Sequence, residues 1–472
     1  MDLARDAYVD GTWVETAKRF PVCDPFDDAL IAEVTDTDDA LVDRAIGAAA
    51  RSFVTWRHVP GPERGKLLAR MAARMLAEEK ALAELCTREN GKALKESAAE
   101  VRYAASFLAW FAGEAERDYG ETIPASHDGE RLLAIREPVG PCGLITPWNF
   151  PYAMLTRKLG AALAAGCTIV AKPAAQTPLG ALALAQLAHE VGIPAGVVNI
   201  LPSSTGAHVG GQILAAPAIR KISFTGSTEV GRLLMRNAAG DLKRISLELG
   251  GNAPFVVLGD ADIDAAVQGA LVAKFRNAGQ SCVAANRFIV EASVADVFTR
   301  KFVAEISKLR AGRGSDAGVD LGPLIDDGAV AKVARLVDDA IAKGAKKLLG
   351  TAPQRRLVSP IVLTDITPQM QLWREEIFGP VVAIRVAKNE ADAIAQANDT
   401  EYGLVAYVYA QNGARQIRVS AALESGMVGI NTGLVSTAQA PFGGVKQSGM
   451  GREGSRHGLE DYTQLKYIAQ RY

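Results

Sequence analysis

The chain lacks an excess of charge of either sign. Its 52 lysine and arginine residues stand against 53 aspartate and glutamate residues, so the formal net charge of the 472 residues is -1 at pH 7. General electrostatic attraction to nucleic acid or to an anionic membrane needs a clear positive excess. We therefore expect neither nucleic acid nor membrane as a partner, although a local patch could still bind an anion.

Paired cysteines, cysteine–histidine clusters and long apolar runs are also missing. The five cysteines are odd in number and widely spaced, which favours a reducing compartment over a disulfide framework and predicts no metal site. The longest apolar run, Leu159 to Ala171, is shorter than the roughly 18 residues of a membrane span. The N-terminus carries acidic residues where a signal peptide needs an apolar core. These absences predict a cytoplasmic protein.

The hydrophobic pattern predicts two α/β domains, because a chain of this length is too long for one compact core. A helical layer is expected over 37–119, with Thr37 as the N-cap of its first helix. Short apolar runs that alternate with helices then indicate a doubly wound parallel sheet. Its strands are predicted at 142–146, 168–171, 197–201, 221–225 and 245–249, and those of a second sheet at 253–257, 287–290, 381–385 and 405–409.

Two segments, Glu121 to Glu137 and Tyr462 to Gln470, lie outside both α/β patterns. We expect them to pair as an extra sheet. An exposed edge of such a sheet would invite strands of a neighbouring subunit.

Cys282 and Glu248 are the strongest candidates for chemistry. Cys282 follows Gly279-Gln280-Ser281, a polar and permissive approach that a buried structural cysteine would not need, and a lowered pKa or a local base would activate its thiol. Glu248 ends an apolar strand and is followed by two glycines. It is either a strand-end residue turned to solvent or a buried base that activates water.

Three further positions follow predicted strands, at the sheet edge where open parallel sheets bind ligands. Asn149 could donate to an oxyanion or cap the next helix. Gly226 and Ser227 open a helix, where backbone N–H groups favour phosphate. Lys172 could reach a ribose or phosphate, or could simply face solvent. No Gly-x-Gly-x-x-Gly motif follows the first strand, so an ordinary Rossmann fingerprint is absent.

Together these motifs resemble the aldehyde dehydrogenase family over nearly the whole chain. The motifs that carry the resemblance stand in the usual order and separation: 147–151, Lys172-Pro173, 224–227, 247–251, 279–282 and 375–380. The resemblance implies a Rossmann-type parallel-sheet cofactor domain, an α/β catalytic domain and a small oligomerisation sheet. On this basis we assign residues 1–120 and 138–249 to cofactor binding, 250–445 to catalysis, and 121–137 with 446–472 to oligomerisation of a homodimer or homotetramer.

The resemblance also implies a mechanism. Cys282 would attack the aldehyde, and the Asn149 side chain with the Cys282 backbone N–H would hold the oxyanion. After hydride transfer to a nicotinamide, water activated by Glu248 would cleave the thioester. Lys172 and Glu376 would bind the two riboses of the cofactor, and Phe378 would lie near the nicotinamide. The remaining cofactor-binding residues implied by the motifs are Thr146, Pro147, Trp148, Ala175, Gly206, Phe224, Gly226 and Ser227.

The segments 431–436, 441–449 and 451–455, together with 274–277 before Cys282, are similar to those of succinate-semialdehyde dehydrogenases. In that subfamily, arginines matching Arg157 and Arg276 and a serine matching Ser436 hold a carboxylate-ended substrate, which guanidinium groups bind well. The arginines could instead form salt bridges at a surface or domain interface. Glutarate semialdehyde, a broader aldehyde range, or a non-catalytic protein retaining the fold are the alternatives.

Ala175 is a departure from many NAD-preferring relatives, which carry a glutamate three residues after the lysine. Without that carboxylate, the repulsion toward a 2'-phosphate is lost. We therefore expect NADP to be accepted and preferred, with NAD also possible.

Overall fold

The computed structural model describes residues 4–472. Within them the strands are β1 Ala7–Val9, β2 Thr12–Val14, β3 Arg19–Cys23, β4 Leu30–Thr35, β5 Glu121–Ile123, β6 Glu130–Pro138, β7 Cys142–Ile145, β8 Ile169–Lys172, β9 Val198–Ile200, β10 Lys221–Thr225, β11 Arg244–Glu248, β12 Ala253–Val257, β13 Ala285–Glu291, β14 Lys346–Leu349, β15 Ile361–Thr364, β16 Val381–Ala387, β17 Val405–Tyr409, β18 Met427–Ile430, β19 Gly449–Met450 and β20 Thr463–Arg471.

The α-helices of the same residues are α1 Asp39–Trp56, α2 Gly61–Ala77, α3 Glu79–Asn90, α4 Leu94–Glu114, α5 Pro151–Ala165, α6 Pro178–Glu190, α7 Gly206–Ala215, α8 Thr228–Ala238, α9 Ile263–Phe275, α10 Ala295–Ile306, α11 Asp327–Ala342, α12 Gln371–Arg374, α13 Glu390–Asn398, α14 Gly413–Ala422 and α15 Ser455–Glu460. Short 3-10 turns lie at Ala239–Asp241, Arg276–Gly279 and Lys446–Ser448. None of these helices is long and apolar enough to cross a membrane.

The first sheet has the strand order β19-β11-β10-β7-β8-β9-β1-β2. Its five central strands are parallel and match the five predicted ones to within one residue at each end. The edge strands β1, β2 and β19 are antiparallel additions that were not predicted. Each has only two or three residues, too few for an alternating pattern to appear in the sequence. One apolar core, built with α2 to α6, covers one face of this sheet, and a second core covers the other.

The second sheet has the order β14-β15-β16-β13-β12-β17-β18 and its own core. The four predicted strands lie together at its centre, all parallel. Strands β14, β15 and β18 were not predicted. The α/β architecture with two parallel sheets is confirmed.

The third sheet, β20-β6-β5, is antiparallel and pairs the two segments that were predicted to form an extra sheet. The predicted 446–472 segment is divided, however. Gly449–Met450 joins the first sheet, and α15 packs on α4 and α5, so only the part from Thr463 lies in the third sheet. A smaller correction concerns α1: its N-cap is Asp38, not Thr37, because the Asp38 carboxylate accepts from the Leu41 N–H at 2.9 Å.

Candidate active site

Two cavities meet at Cys282, between the first two sheets. The larger, which we call the strand-end cavity, has a volume of about 350 Å³ and is bounded on one side by the carboxyl ends of β7, β10 and β11. The smaller, which we call the inner cavity, has about 20 Å³ and is bounded by α4, α5 and the 436–442 segment. Cys282 lines both cavities, so a group bound in either lies beside its thiol.

The strand-end cavity collects many of the predicted cofactor residues. Its wall is formed by Pro147, Trp148, Asn149, Thr225, Gly226, Ser227, Leu249, Gly250, Cys282, Ile325, Asp326, Gly328, Ala329, Lys332, Glu376 and Phe378. The predicted cofactor residues outside this wall are Thr146, Lys172, Ala175, Gly206 and Phe224, and the predicted base Glu248 also lies outside it. Of these, Phe224 lies directly beneath Gly226, where a side chain would overlap its ring.

The inner cavity contains all three residues predicted to hold the substrate's distal end. Its wall is formed by Tyr103, Phe150, Met154, Arg157, Arg276, Ser281, Cys282, Val283, Ser436 and Phe442. Besides Ser281 and Cys282, four of these side chains are polar, and the remaining four are apolar. The four polar side chains are those of Tyr103, Arg157, Arg276 and Ser436. The cavity is therefore a narrow apolar chamber with its hydrogen-bonding groups concentrated in a few positions.

The backbone before Cys282 is strained and firmly anchored. Asn277, Ala278 and Gly279 have φ angles of 50°, 53° and 77°, a left-handed run that costs about 1–3 kcal/mol for each non-glycine residue. A side chain at Gly279 would overlap the Gly379 carbonyl. The Asn277 N–H donates to the Glu96 carboxylate at 3.0 Å, which holds the run in place. This conformation brings the half-buried Cys282 to the junction of the two cavities.

Of the two routes expected to activate the Cys282 thiol, a lowered pKa and a local base, the structure does not provide the lowered pKa. Burial, together with the charges of Glu376 and Glu248, raises the thiol's pKa to about 12 against the opposing effect of Arg157. A thiol with such a pKa is protonated at neutral pH. It therefore needs a base to accept its proton before it can attack a carbonyl.

Asn149 does not cap the helix that follows it. The first amides of α5 bond instead to the buried Glu100, which accepts from the Tyr152 N–H at 2.9 Å. The Asn149 side-chain nitrogen donates to the Gln280 carbonyl at 3.1 Å, two residues before Cys282. This bond fixes the amide orientation, since the opposite flip would place two oxygens against each other. One N–H of the amide is left for another acceptor near Cys282.

Glu248 ends β11 and is buried, with 3% of its surface exposed, so the solvent-facing alternative is excluded. Neither of its carboxylate oxygens has a hydrogen-bond partner. Burial raises its pKa well above the usual range, and the neighbouring Glu453 adds to this. A side chain at Gly443 would lie 2.7 Å from one Glu248 oxygen, so this glycine makes room for the carboxylate.

Arg157 forms a buried ion pair, as the alternative interpretation allowed. Its Nε lies 3.0 Å from a Glu453 oxygen, at an angle unsuitable for a hydrogen bond, and Lys158 contacts the other oxygen. The guanidinium also lies 4.3 Å from the centre of the Phe442 ring. Arg276 differs, because it forms no ion pair with any described residue and is only half-buried. Its guanidinium lies 5.5 Å from the centre of the Phe150 ring.

Glu376 and Phe378 lie on the segment that faces the two glycines after Glu248. The Gly251 N–H donates to the Glu376 carboxylate at 3.0 Å, and a side chain at Gly250 would lie 2.8 Å from it. The Phe378 ring packs edge-on against Trp148, with ring centres 5.6 Å apart. This contact explains the glycine at position 250, while a side chain at position 251 would lie 2.7 Å from the Cys282 carbonyl.

Comparison with known proteins agrees with this architecture. The sequence profile described as the Aldehyde dehydrogenase family matches residues 13–468. The chain belongs to the aldehyde dehydrogenase family. It is therefore an oxidoreductase, and the family uses NAD(P).

Among similar family members is a glutarate-semialdehyde dehydrogenase of Pseudomonas putida, 49% identical over 98% of this chain and 97% of that protein. A succinate-semialdehyde dehydrogenase [NADP(+)] of Escherichia coli K12 is also 49% identical, with the same coverage. A crystal structure of succinate-semialdehyde dehydrogenase from Burkholderia pseudomallei superimposes with a TM-score of 0.97 at 46% identity, covering 100% of this chain and 98% of that one.

The residues of this aldehyde dehydrogenase fit an NAD(P) cofactor along the strand-end edge. Lys172, only 7% exposed, lies against Gly206, where any side chain would overlap its ammonium group. Burial lowers the pKa of Lys172 to about 8, so a bound anionic or hydroxyl group would stabilise its charged form. Thr146 follows β7 and bonds to the Lys172 carbonyl at 3.2 Å, while Ala175 is half-buried nearby. Ser227 is the N-cap of α8, which leaves that helix terminus at the cavity.

Several wall residues of this aldehyde dehydrogenase were missed by the sequence analysis. Tyr103 lies within helix α4, where its spacing resembles that of core residues, and no motif surrounds it. Asp326 and Lys332 stand at the start of α11, far from any glycine-rich turn singled out above. Phe442 lies in the segment 441–449, which resembles that of succinate-semialdehyde dehydrogenases, so the sequence did contain a signal for its proximity to the site.

Proposed function

We propose that this protein oxidises short aldehydes that carry a distal carboxylate, with succinate semialdehyde as the principal substrate and glutarate semialdehyde as its nearest competitor. The observation that carries the proposal is the inner cavity, in which Arg157, Arg276 and Ser436 share a wall with Cys282. An aldehyde bound with its carboxylate at these groups has its carbonyl end directed toward the thiol. The similarity to succinate- and glutarate-semialdehyde dehydrogenases supports the same substrate class.

In the proposed mechanism, the Cys282 sulfur attacks the carbonyl carbon after its proton passes to a base. The free N–H of Asn149 and the Cys282 backbone N–H then stabilise the oxygen of the thiohemiacetal. A nicotinamide held in the strand-end cavity would supply the hydride acceptor, and loss of the hydride from the adduct would leave a thioester on Cys282. Glu248, whose raised pKa suits a base that must hold and release protons, then takes a proton from the water that cleaves the thioester.

Lys172, Glu376 and the start of α8 are the groups that would hold the cofactor, and we propose NADP as the preferred form. Ala175 places no carboxylate near Lys172, so nothing at that position repels a 2'-phosphate. The Escherichia coli relative is named as NADP-dependent, which supports the same preference. A cytoplasmic homodimer or homotetramer stays a prediction.

The test is a matrix of kcat/KM values for succinate semialdehyde, glutarate semialdehyde, butanal and pentanal, each with NADP and NAD. The expected result is a preference for the carboxylated member of each length-matched pair, because two guanidinium groups offset the cost of desolvating the carboxylate. Equal efficiencies within each pair would contradict the substrate class. A kcat/KM at least tenfold higher with NAD would contradict the cofactor preference. An acyl-coenzyme A product formed on addition of coenzyme A would replace hydrolysis as the second half-reaction.

A further inference from the structure

Tyr103 is a polar wall residue of the inner cavity that the motifs did not indicate. It lies in α4, half-buried, and its ring packs edge-on against Phe107 with ring centres 4.9 Å apart and an interplanar angle of 73°. Phe107 is itself fully buried, so it holds the tyrosine ring in a fixed position. The same Phe107 ring lies 5.9 Å from the Arg157 guanidinium. One buried aromatic ring therefore packs on Tyr103 and lies near Arg157.

The Tyr103 hydroxyl faces the groups that would bind the carboxylate. Burial raises the pKa of this phenol, while the charges of Arg157 and Arg276 and the nearness of Ser436, with which it shares the cavity wall, act against it. A phenol with a raised pKa keeps its proton at neutral pH, so it is a neutral hydrogen-bond donor. It adds a donor without adding a charge to a cavity that already has two guanidinium groups.

The wall of the inner cavity offers few hydrogen-bond donors to a bound carboxylate. Its two oxygens can accept about four hydrogen bonds, and every one left unmade in a buried site costs free energy. Phe150, Met154, Val283 and Phe442 cannot donate any. The charge of Arg157 is shared with Glu453, to which it lies 3.0 Å away. The remaining polar donors of the wall are thus needed to replace the water that the carboxylate loses.

We propose that the Tyr103 hydroxyl donates a hydrogen bond to the distal anionic end of the substrate and is a specificity-determining residue for carboxylated aldehydes. This inference rests on the proposed function and extends it from three contact residues to four. Tyr103 takes no part in the chemical steps at Cys282. Tyr103 instead acts on the distal carboxylate of the substrate. It does so together with Arg276, which has no ion-pair partner among the described residues.

The experiment compares Tyr103→Phe with the unaltered enzyme, using succinate semialdehyde and butanal with the same cofactor. Because phenylalanine keeps the ring and its packing on Phe107, only the hydroxyl is lost. We expect kcat/KM for succinate semialdehyde to fall by roughly tenfold to a hundredfold, as for loss of a hydrogen bond to a charged group. The fall in kcat/KM should come mainly from a rise in KM. The value for butanal should be unchanged or higher, and succinate should become a weaker competitive inhibitor by a similar factor.

Tyr8→Phe is the matched control, because it also removes one buried tyrosine hydroxyl. That hydroxyl bonds to His189 at 3.1 Å in the first domain and does not line either cavity. In the control, the ratio of kcat/KM for succinate semialdehyde to kcat/KM for butanal should be unchanged. A fall of the same size for succinate semialdehyde and butanal in Tyr103→Phe would overturn the inference, because a structural role affects both substrates alike. If the unaltered enzyme does not prefer succinate semialdehyde over butanal, the proposed function itself is wrong, and that result is obtained before any variant is made.

Discussion

The contact between Gly206 and Lys172 leads to a prediction about cofactor binding. Gly206 is the first residue of α7, and a methyl group placed there would overlap the Lys172 ammonium and lie 3.1 Å from its Cε. Because the overlap involves the end of a flexible side chain, Gly206→Ala should displace the ammonium without disturbing the fold. Alanine is also the better helix former, by about 1 kcal/mol in a helix interior. The variant should therefore be as stable as the unaltered enzyme but impaired in cofactor binding.

The expected loss follows from the role proposed for Lys172. A hydrogen bond to a charged group contributes about 1.5–3 kcal/mol, which corresponds to roughly a 10- to 150-fold change in kcat/KM for the cofactor. Because the displaced Lys172 ammonium can still approach the bound cofactor, we expect the loss of kcat/KM in Gly206→Ala to lie near the tenfold end of this range. Lys172→Met removes the ammonium altogether and should therefore show the largest loss of kcat/KM for the cofactor.

Gly211→Ala provides the matched control in the same helix. A methyl group at Gly211 would meet no atom within 4 Å, so this variant makes the same chemical change without touching Lys172. The assay is cofactor-dependent initial velocity at saturating aldehyde, together with thermal unfolding of all three variants. If Gly206→Ala and Gly211→Ala give the same kcat/KM for the cofactor, then Lys172 is not a cofactor ligand in the position described.

Four further predictions concern the reacting groups and the substrate's distal end. Cys282→Ala should abolish turnover of every aldehyde while cofactor binding, followed by fluorescence quenching, is retained; residual turnover would mean that another nucleophile acts. Glu248→Gln should slow thioester hydrolysis more than hydride transfer, giving a burst of reduced cofactor in stopped-flow absorbance, and a linear trace would argue against its role as base. Because burial and Glu453 raise the pKa of Glu248, its base form is lost as pH falls through that raised pKa. Glu453→Gln should therefore shift the acidic limb of the deacylation rate to lower pH, and a limb that stays in place or moves to higher pH would refute the coupling. Arg276→Ala should lower kcat/KM for succinate semialdehyde about 10- to 150-fold relative to butanal, and equal losses would exclude an anion pocket.

The strands of the first sheet were predictable because each is a short apolar run between helices that carry their own periodicity. The strands that were missed share a different property. Gly449–Met450 pairs with Leu247 and Glu248, some 200 residues earlier in the chain, and its two residues contain no pattern of their own. Such a strand exists only because another strand leaves an unpaired edge beside it.

The environment of Arg157 shows what the sequence could not predict about the site. A motif match indicated an anion-binding arginine, and the structure adds that Glu453 contacts the same guanidinium and that Phe442 packs on it. Sequence separation gives no indication of this pairing, since Glu453 approaches through the turn before α15. For Asn149 and Glu248, the structure likewise excluded one alternative each: Glu100 bonds to the first amides of α5 in place of Asn149, and Glu248 is buried.

The sequence by itself determined where glycine is required beside the Cys282 thiol and after Glu248, because the backbone there passes close to other groups. Gly279 and Gly251 leave no room for a Cβ, and that constraint is visible in the amino-acid letters. Only the tertiary structure decided the state of those groups. The pKa of the Cys282 thiol is raised by burial, and Tyr103 joins the cavity from a distant helix, because solvent exclusion and side-chain convergence arise when α4, α5 and the C-terminal segment pack together.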